Sequence, residues 1–220
     1  MAASHDRPRI DYAGLFAGSD AVLVDPAEVE VVRLPALYVP RGALVGFDPT
    51  NIGAYDLDYA PYEATIAPGL YAGRACVDRA TRHIAATWLQ IRRAEVVRWQ
   101  LAAPADDALA GMPLHQPGTA FGYECRGFGG LADASALARH VRDPVWLRDA
   151  LERELLTGDE HHAAIALDDA GANLWALRVH DGGPCRAYWG FDQRGELVAL
   201  VSDFFSEFHG ARLRAPPRRG

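Results

Sequence analysis

The stretch from Asn173 to Phe204, NLWALRVHDGGPCRAYWGFDQRGELVALVSDF, constrains the fold more than any other part of the chain. Its apolar runs at 174–179, 185–191 and 196–204 are short. Each is bounded by Gly, Asp or Pro, the residues that punctuate strands rather than helices. Residues 192–195 predict a hairpin turn in which the Asp192 side chain accepts from backbone amides. The sequence His180-Asp181-Gly182-Gly183 predicts a second tight turn. The same block gathers His180, Asp181, Tyr188, Asp192 and Asp203, the densest cluster of polar candidates in the protein.

The same grammar runs upstream. Residues 29–34 carry a period-two pattern, and 38–39 and 43–47 flank the turn Pro40-Arg41-Gly42. Residues 62–66, 70–77, 83–92 and 96–101 read as a meander of strands, with Pro68-Gly69 as a turn signal. Asp11 is expected to cap a short helix at 12–17. Loops are expected at 50–61 and 102–118, the latter long enough to suggest function. A strand at 121–125 precedes the glycines Gly127, Gly129 and Gly130. Asp133 or Ser135 then caps a helix at 136–141. A further helix starts at Pro144, with Trp146, Leu147, Ala150, Leu151 and Leu155 on one face. The expectation is a mainly β (α+β) fold: an antiparallel β-sandwich or partly open barrel with a helical insertion near 133–157. It forms a single β-rich domain over 11–209, followed by a basic, disordered tail at 210–220.

Composition removes whole classes of chemistry. The chain has no lysine, so imine formation, pyridoxal phosphate anchoring and the P-loop lysine are excluded. A net charge of −7 argues against a nucleic-acid partner. Half the residues are hydrophobic, enough for a sizeable core, yet no run reaches membrane-spanning length. The N-terminus lacks the apolar core of a signal peptide, so a cytoplasmic protein with no membrane partner is expected. Cys76, Cys125 and Cys185 are odd in number and lack CxxC spacing, which predicts buried hydrophobes rather than a disulfide or zinc framework.

Two blocks resemble a known family. Gly42-Ala-Leu-Val-Gly-Phe-Asp48-Pro49 with Ala67-Pro68-Gly69-Leu-Tyr71, then Asn173, Tyr188-Trp189-Gly190-Phe191-Asp192, Gly195 and Leu200-Val-Ser-Asp203-Phe204, are similar in order and spacing to the bacterial family catalogued as domain of unknown function 4241. The chain departs from it at the His180–Gly183 turn and at Arg126, which stands near an expected acid. The resemblance implies a mostly β bacterial domain and, through relatives in toxin–immunity neighbourhoods, a binding role.

Candidate chemistry concentrates around residues 180–183. Glycines Gly182 and Gly183 can open a backbone nest for an anion, and His180 can serve as a base oriented by Asp181. Tyr188 and Asp203 complete an acid–base set, with Arg126 as an anion clamp and Trp189 as a ligand-lining aromatic. The plainer account is an Asp-Gly turn, a strand tyrosine and a buried Asp203 paired with an arginine. Asp159-Glu160-His161-His162 is ligand-rich, but neighbouring residues of an extended segment point to opposite faces, so no metal site is expected. No cofactor is expected. Two functions remain: a binding or accessory protein, an immunity-like one included, recognising a small molecule or protein partner, or a cofactor-independent acid–base enzyme.

Overall fold

A computed structural model describes residues 12–17, 29–50, 60–103, 123–140, 144–157 and 160–204. The described elements are helix α1 (Tyr12–Ala17), strands β1 (Val29–Val39), β2 (Leu44–Phe47), β3 (Gly69–Asp78), β4 (Ile84–Gln90), β5 (Arg98–Leu101) and β6 (Tyr123–Asp133), helices α2 (Ala134–His140) and α3 (Pro144–Leu151), and strands β7 (His162–Ala166), β8 (Asn173–Phe191) and β9 (Leu197–Asp203). Helix α3 runs on into a π-helical turn, Glu152–Leu156. The structure is mainly β, a curled open sheet resembling a half-barrel. The expected loops, Asp11 and the basic tail lie wholly or mostly outside the described residues.

The strand order is β1-β3-β4-β9-β8-β6-β2, with β5 and β7 also paired to β8. Strands β1 and β2 sit at opposite ends of this order, yet only residues 40–43 separate them. Laid flat, the six inter-strand spacings would hold them about 29 Å apart. The link from Val39 to Leu44 reaches at most about 18 Å. The sheet must therefore curl until its ends approach. Three hydrogen bonds tie the closure. The Asn173 amide accepts from the Tyr38 N–H at 2.8 Å and donates to the Ala36 carbonyl at 2.9 Å, and Trp175 Nε1 donates to the Pro35 carbonyl at 2.8 Å. A side-chain amide here stands in for a neighbouring strand.

Asp133 fixes the other side of the seam. It is wholly buried. Its Oδ1 accepts from the amides of Ser135 and Ala136, capping α2, while Oδ2 accepts from the Arg41 amide in the β1–β2 link.

Three apolar clusters follow from the curl. The concave interior holds Leu34, Leu37, Leu89, Trp175, Trp189 and Leu200. Helices α2 and α3 cover one outer face through Leu137, Leu147, Leu151 and Leu155. Helix α1 covers another through Tyr12, Leu15 and Phe16. Strands β4 and β9 are thus buried on both faces, and their sequences read as continuous apolar runs.

The structure corrects four expectations. Residues 62–66 form no strand; they cross β2 through single contacts, Tyr62 N–H to the Leu44 carbonyl and Ile66 N–H to the Gly42 carbonyl. The glycines after Cys125 lie inside β6 rather than after it; a Cβ on Gly130 would lie 2.9 Å from the Phe47 ring. The 174–179 and 185–191 segments are one strand of 19 residues. Cys125 and Cys185 form a disulfide, with Cα atoms 6.2 Å apart. The register pairs Tyr123 with Cys185 and Cys125 with Gly183, which brings the two cysteines diagonally across neighbouring strands. An odd count left Cys76 over, buried, its thiol pushed up to about 12 by desolvation and by Asp78.

Candidate functional site

The segment expected to turn at His180–Gly183 instead continues as β8, and this is the place where β8 changes partners. β8 pairs with β7 up to Leu177 and with β6 up to Cys185; from Arg186 onward its partners are β9 and β5. The β6 register shifts on both sides of Arg126, and Gly127 takes φ +86°. Glycine-rich backbone here lets two strands bend together between sheets, the work of a β-bulge. Of His180, Asp181, Gly182, Gly183 and Pro184 only the backbone is described, so the side chains of the expected base and its orienting acid lie outside the described residues. The Arg126 side chain is exposed, and its amide donates to Asp48 Oδ2 at 2.8 Å. Asp48 also accepts from the Thr50 amide and hydroxyl at 2.8 and 2.7 Å. The sequence marks Asp48 only as part of a family-like Asp-Pro block, although Asp-Pro-Thr at a strand end also signals an Asx turn.

Tyr188 and Asp203 come together; Trp189 does not join them. In the register Asp203 lies opposite Arg186, and Tyr188 lies opposite Val201, two residues along each strand. Alternation puts Arg186, Tyr188, Val201 and Asp203 on the outer face and Trp189 in the concave interior. Helix α1 closes over that outer face. Its Tyr12 ring lies 6.0 Å from Tyr188 and 5.7 Å from Trp99, and Phe16 lies 5.5 Å from Trp88. Burial first, and the Asp203 carboxylate second, hold the Tyr12 phenol well above its ordinary pKa. Tyr188 and Asp203 are 4 % and 3 % exposed. They are a sealed polar pair beneath a helix.

In the interior, Trp189 packs edge-on against Tyr62, ring centroids 5.9 Å apart. Trp189 Nε1 and the Tyr62 hydroxyl are both buried without a hydrogen-bond partner. Burial pushes the Tyr62 phenol upward, so it is a donor at neutral pH. Two neighbouring donors with nothing to donate to are costly, about 1–3 kcal/mol each.

No family model, curated protein or solved structure matches this chain.

A third polar group lies at the entrance to β7. Glu160, His161 and His162 offer ligand atoms all within 4.8 Å of one another. The sequence argument against a shared site fails because His161 precedes the strand, so strand alternation does not separate it from His162. The two rings lie 4.8 Å apart, centroid to centroid. The Arg178 amide, donating to the His161 carbonyl at 2.9 Å, fixes the backbone there. Desolvation is the first cause that lowers both histidine pKa values, leaving the rings neutral near pH 7.

Proposed function

We propose that this protein works by binding, and that it holds a small molecule rich in hydrogen-bond acceptors within the curled sheet, against Tyr62 and Trp189. The observation that carries this reading is the pair of buried, unpartnered donors in the concave interior. Binding sites keep such polar groups at a cost to the free protein, because the ligand satisfies them. A diverged relationship to domain of unknown function 4241, with an accessory or immunity-like role, belongs to the proposal, and the net charge of −7 supports a partner other than nucleic acid. No described helix is long and apolar enough to cross a membrane. The Cys125–Cys185 bridge favours an oxidising setting over the cytoplasm expected from the sequence.

The test uses Tyr62→Phe, which keeps the ring and removes only the donor, and Trp189→Phe, which removes the indole N–H together with part of the ring. Free of ligand, Tyr62→Phe should be more stable than the parent by about 1 kcal/mol in urea unfolding, whereas Trp189→Phe loses core volume and some stability with it. In a thermal-shift screen of carbonyl- and carboxylate-bearing metabolites, compounds that raise the parent's Tm should lose that effect in both variants. A Tyr62→Phe variant that unfolds earlier than the parent, or variants that both keep every ligand shift, overturn the reading.

The second reading, a cofactor-independent enzyme, draws on Tyr188 and Asp203 sharing one face with Arg186. It requires Tyr188→Phe to remove a measurable turnover while the Tm stays put. A turnover unaffected by Tyr188→Phe excludes it.

A further inference from the structure

We propose that Glu160, His161 and His162 form a binding site for a zinc-class divalent cation, and that Arg82 guards it. Two imidazoles and a carboxylate are donors that suit zinc and its neighbours in the first transition row. Their ligand atoms already lie within 4.8 Å of one another. A second observation points to a ligand independently. His161 is 7 % exposed, and its Nε2 is buried with no hydrogen-bond partner; the same holds for Nδ1 of His162. Paired buried ring nitrogens without partners are what a cation would satisfy. Glu160 is exposed, which gives the site an opening to solvent. Three protein ligands leave a zinc ion a position for an outside donor.

Arg82 makes the site conditional. It sits in the turn between β3 and β4 with φ +61°, a left-handed conformation that disfavours a side chain of its size. Its guanidinium reaches Glu30 at 2.6 Å and His161 Nδ1 at 3.3 Å. A guanidinium only donates, so it favours an unprotonated Nδ1. A cation bound at Nδ1 competes for the same lone pair. A cation bound at Nε2 needs the ring proton on Nδ1, facing Arg82. Either way Arg82 must withdraw from His161 for the ion to enter, and Glu30 offers it a place to stay. The residue in the strained backbone position is therefore the one whose departure opens the site.

The experiment is calorimetric titration of chelator-treated protein with Zn²⁺ alone, with Co²⁺ absorption as a second readout. The parent should bind one ion per chain. The double variant His161→Ala, His162→Ala should lose it, and Glu160→Gln should weaken it at least about tenfold, the least that loss of even an outer partner costs at such sites. Should the double variant fail to fold by circular dichroism, Glu160→Gln carries the same test at an exposed position. Arg82→Gly relieves the left-handed strain and should bind more tightly than the parent. A folded parent that takes up no Zn²⁺, or equal affinity in parent and Glu160→Gln, overturns the site. Unchanged affinity in Arg82→Gly overturns the guard.

Discussion

Gly73 shows how narrowly single positions are fitted. A Cβ there would lie 2.2 Å from two carbons of the Trp175 ring, which fills the interior across from β3. Gly73→Ala should therefore cost about 1–3 kcal/mol in urea unfolding, the usual range for overpacking a core. Gly73→Ala combined with Trp175→Phe should lose less than the two changes summed, because the smaller ring makes room. Asp133 is the polar counterpart. Removing its carboxylate orphans the first amides of α2 and the Arg41 amide together. Asp133→Ala should cost about 2–4 kcal/mol, more than a lone helix cap. Little of this was legible beforehand. The sequence marks Asp133 as a cap candidate, but its bond to Arg41 depends on a seam between residues 92 positions apart. The contacts of Asp48 and Tyr12 are illegible in the sequence for the same reason: their partners are supplied by the curl.

The β8–β9 hairpin is the element whose behaviour the sequence predicts best. Asp192 Oδ1 accepts from the Arg194 and Glu196 amides, both at 2.9 Å, and Arg92 Nη2 donates to Oδ2 at 2.8 Å. The backbone bond from Glu196, then that from Arg194 and the Arg92 charge, lower its pKa. A depressed carboxylate contributes stability that is present above its unfolded value and lost as pH falls through the folded one. The Tm gap between parent and Asp192→Ala should hold steady near neutrality and narrow as pH drops below about 4. A gap that widens on acidification would contradict the assignment. Asp192-Gln-Arg-Gly195 is readable because the backbone amides that Asp192 holds lie within the turn itself. β8 is not. Glycine and proline at 182–184 signal a hairpin turn and a bend between sheets alike, and only pairing with β6 separates the two. The closeness of His161 and His162 is illegible because strand alternation does not reach His161, which precedes β7.

For the whole molecule, the Cys125–Cys185 bridge is the most direct probe. It closes a separation of 60 residues across the β6–β8 bend. Chain entropy alone makes such a link worth roughly 4 kcal/mol. Oxidised protein unfolded in denaturant should show one titratable thiol, that of Cys76, and reduction should lower the Tm by many degrees. Three thiols in protein from its native source would return it to a reducing compartment. The mainly β class was legible because short apolar runs and turns are local signals; the curl was not, since it follows from which strands lie at the two ends. That closure also orders the making of the protein. The free edge of β1 is held by Asn173 and Trp175, up to 140 residues downstream. A ribosome works from the N-terminus, so β1 waits through most of synthesis with one edge open to any strand that passes. The nascent chain, more than the finished fold, is where this protein is exposed to aggregation.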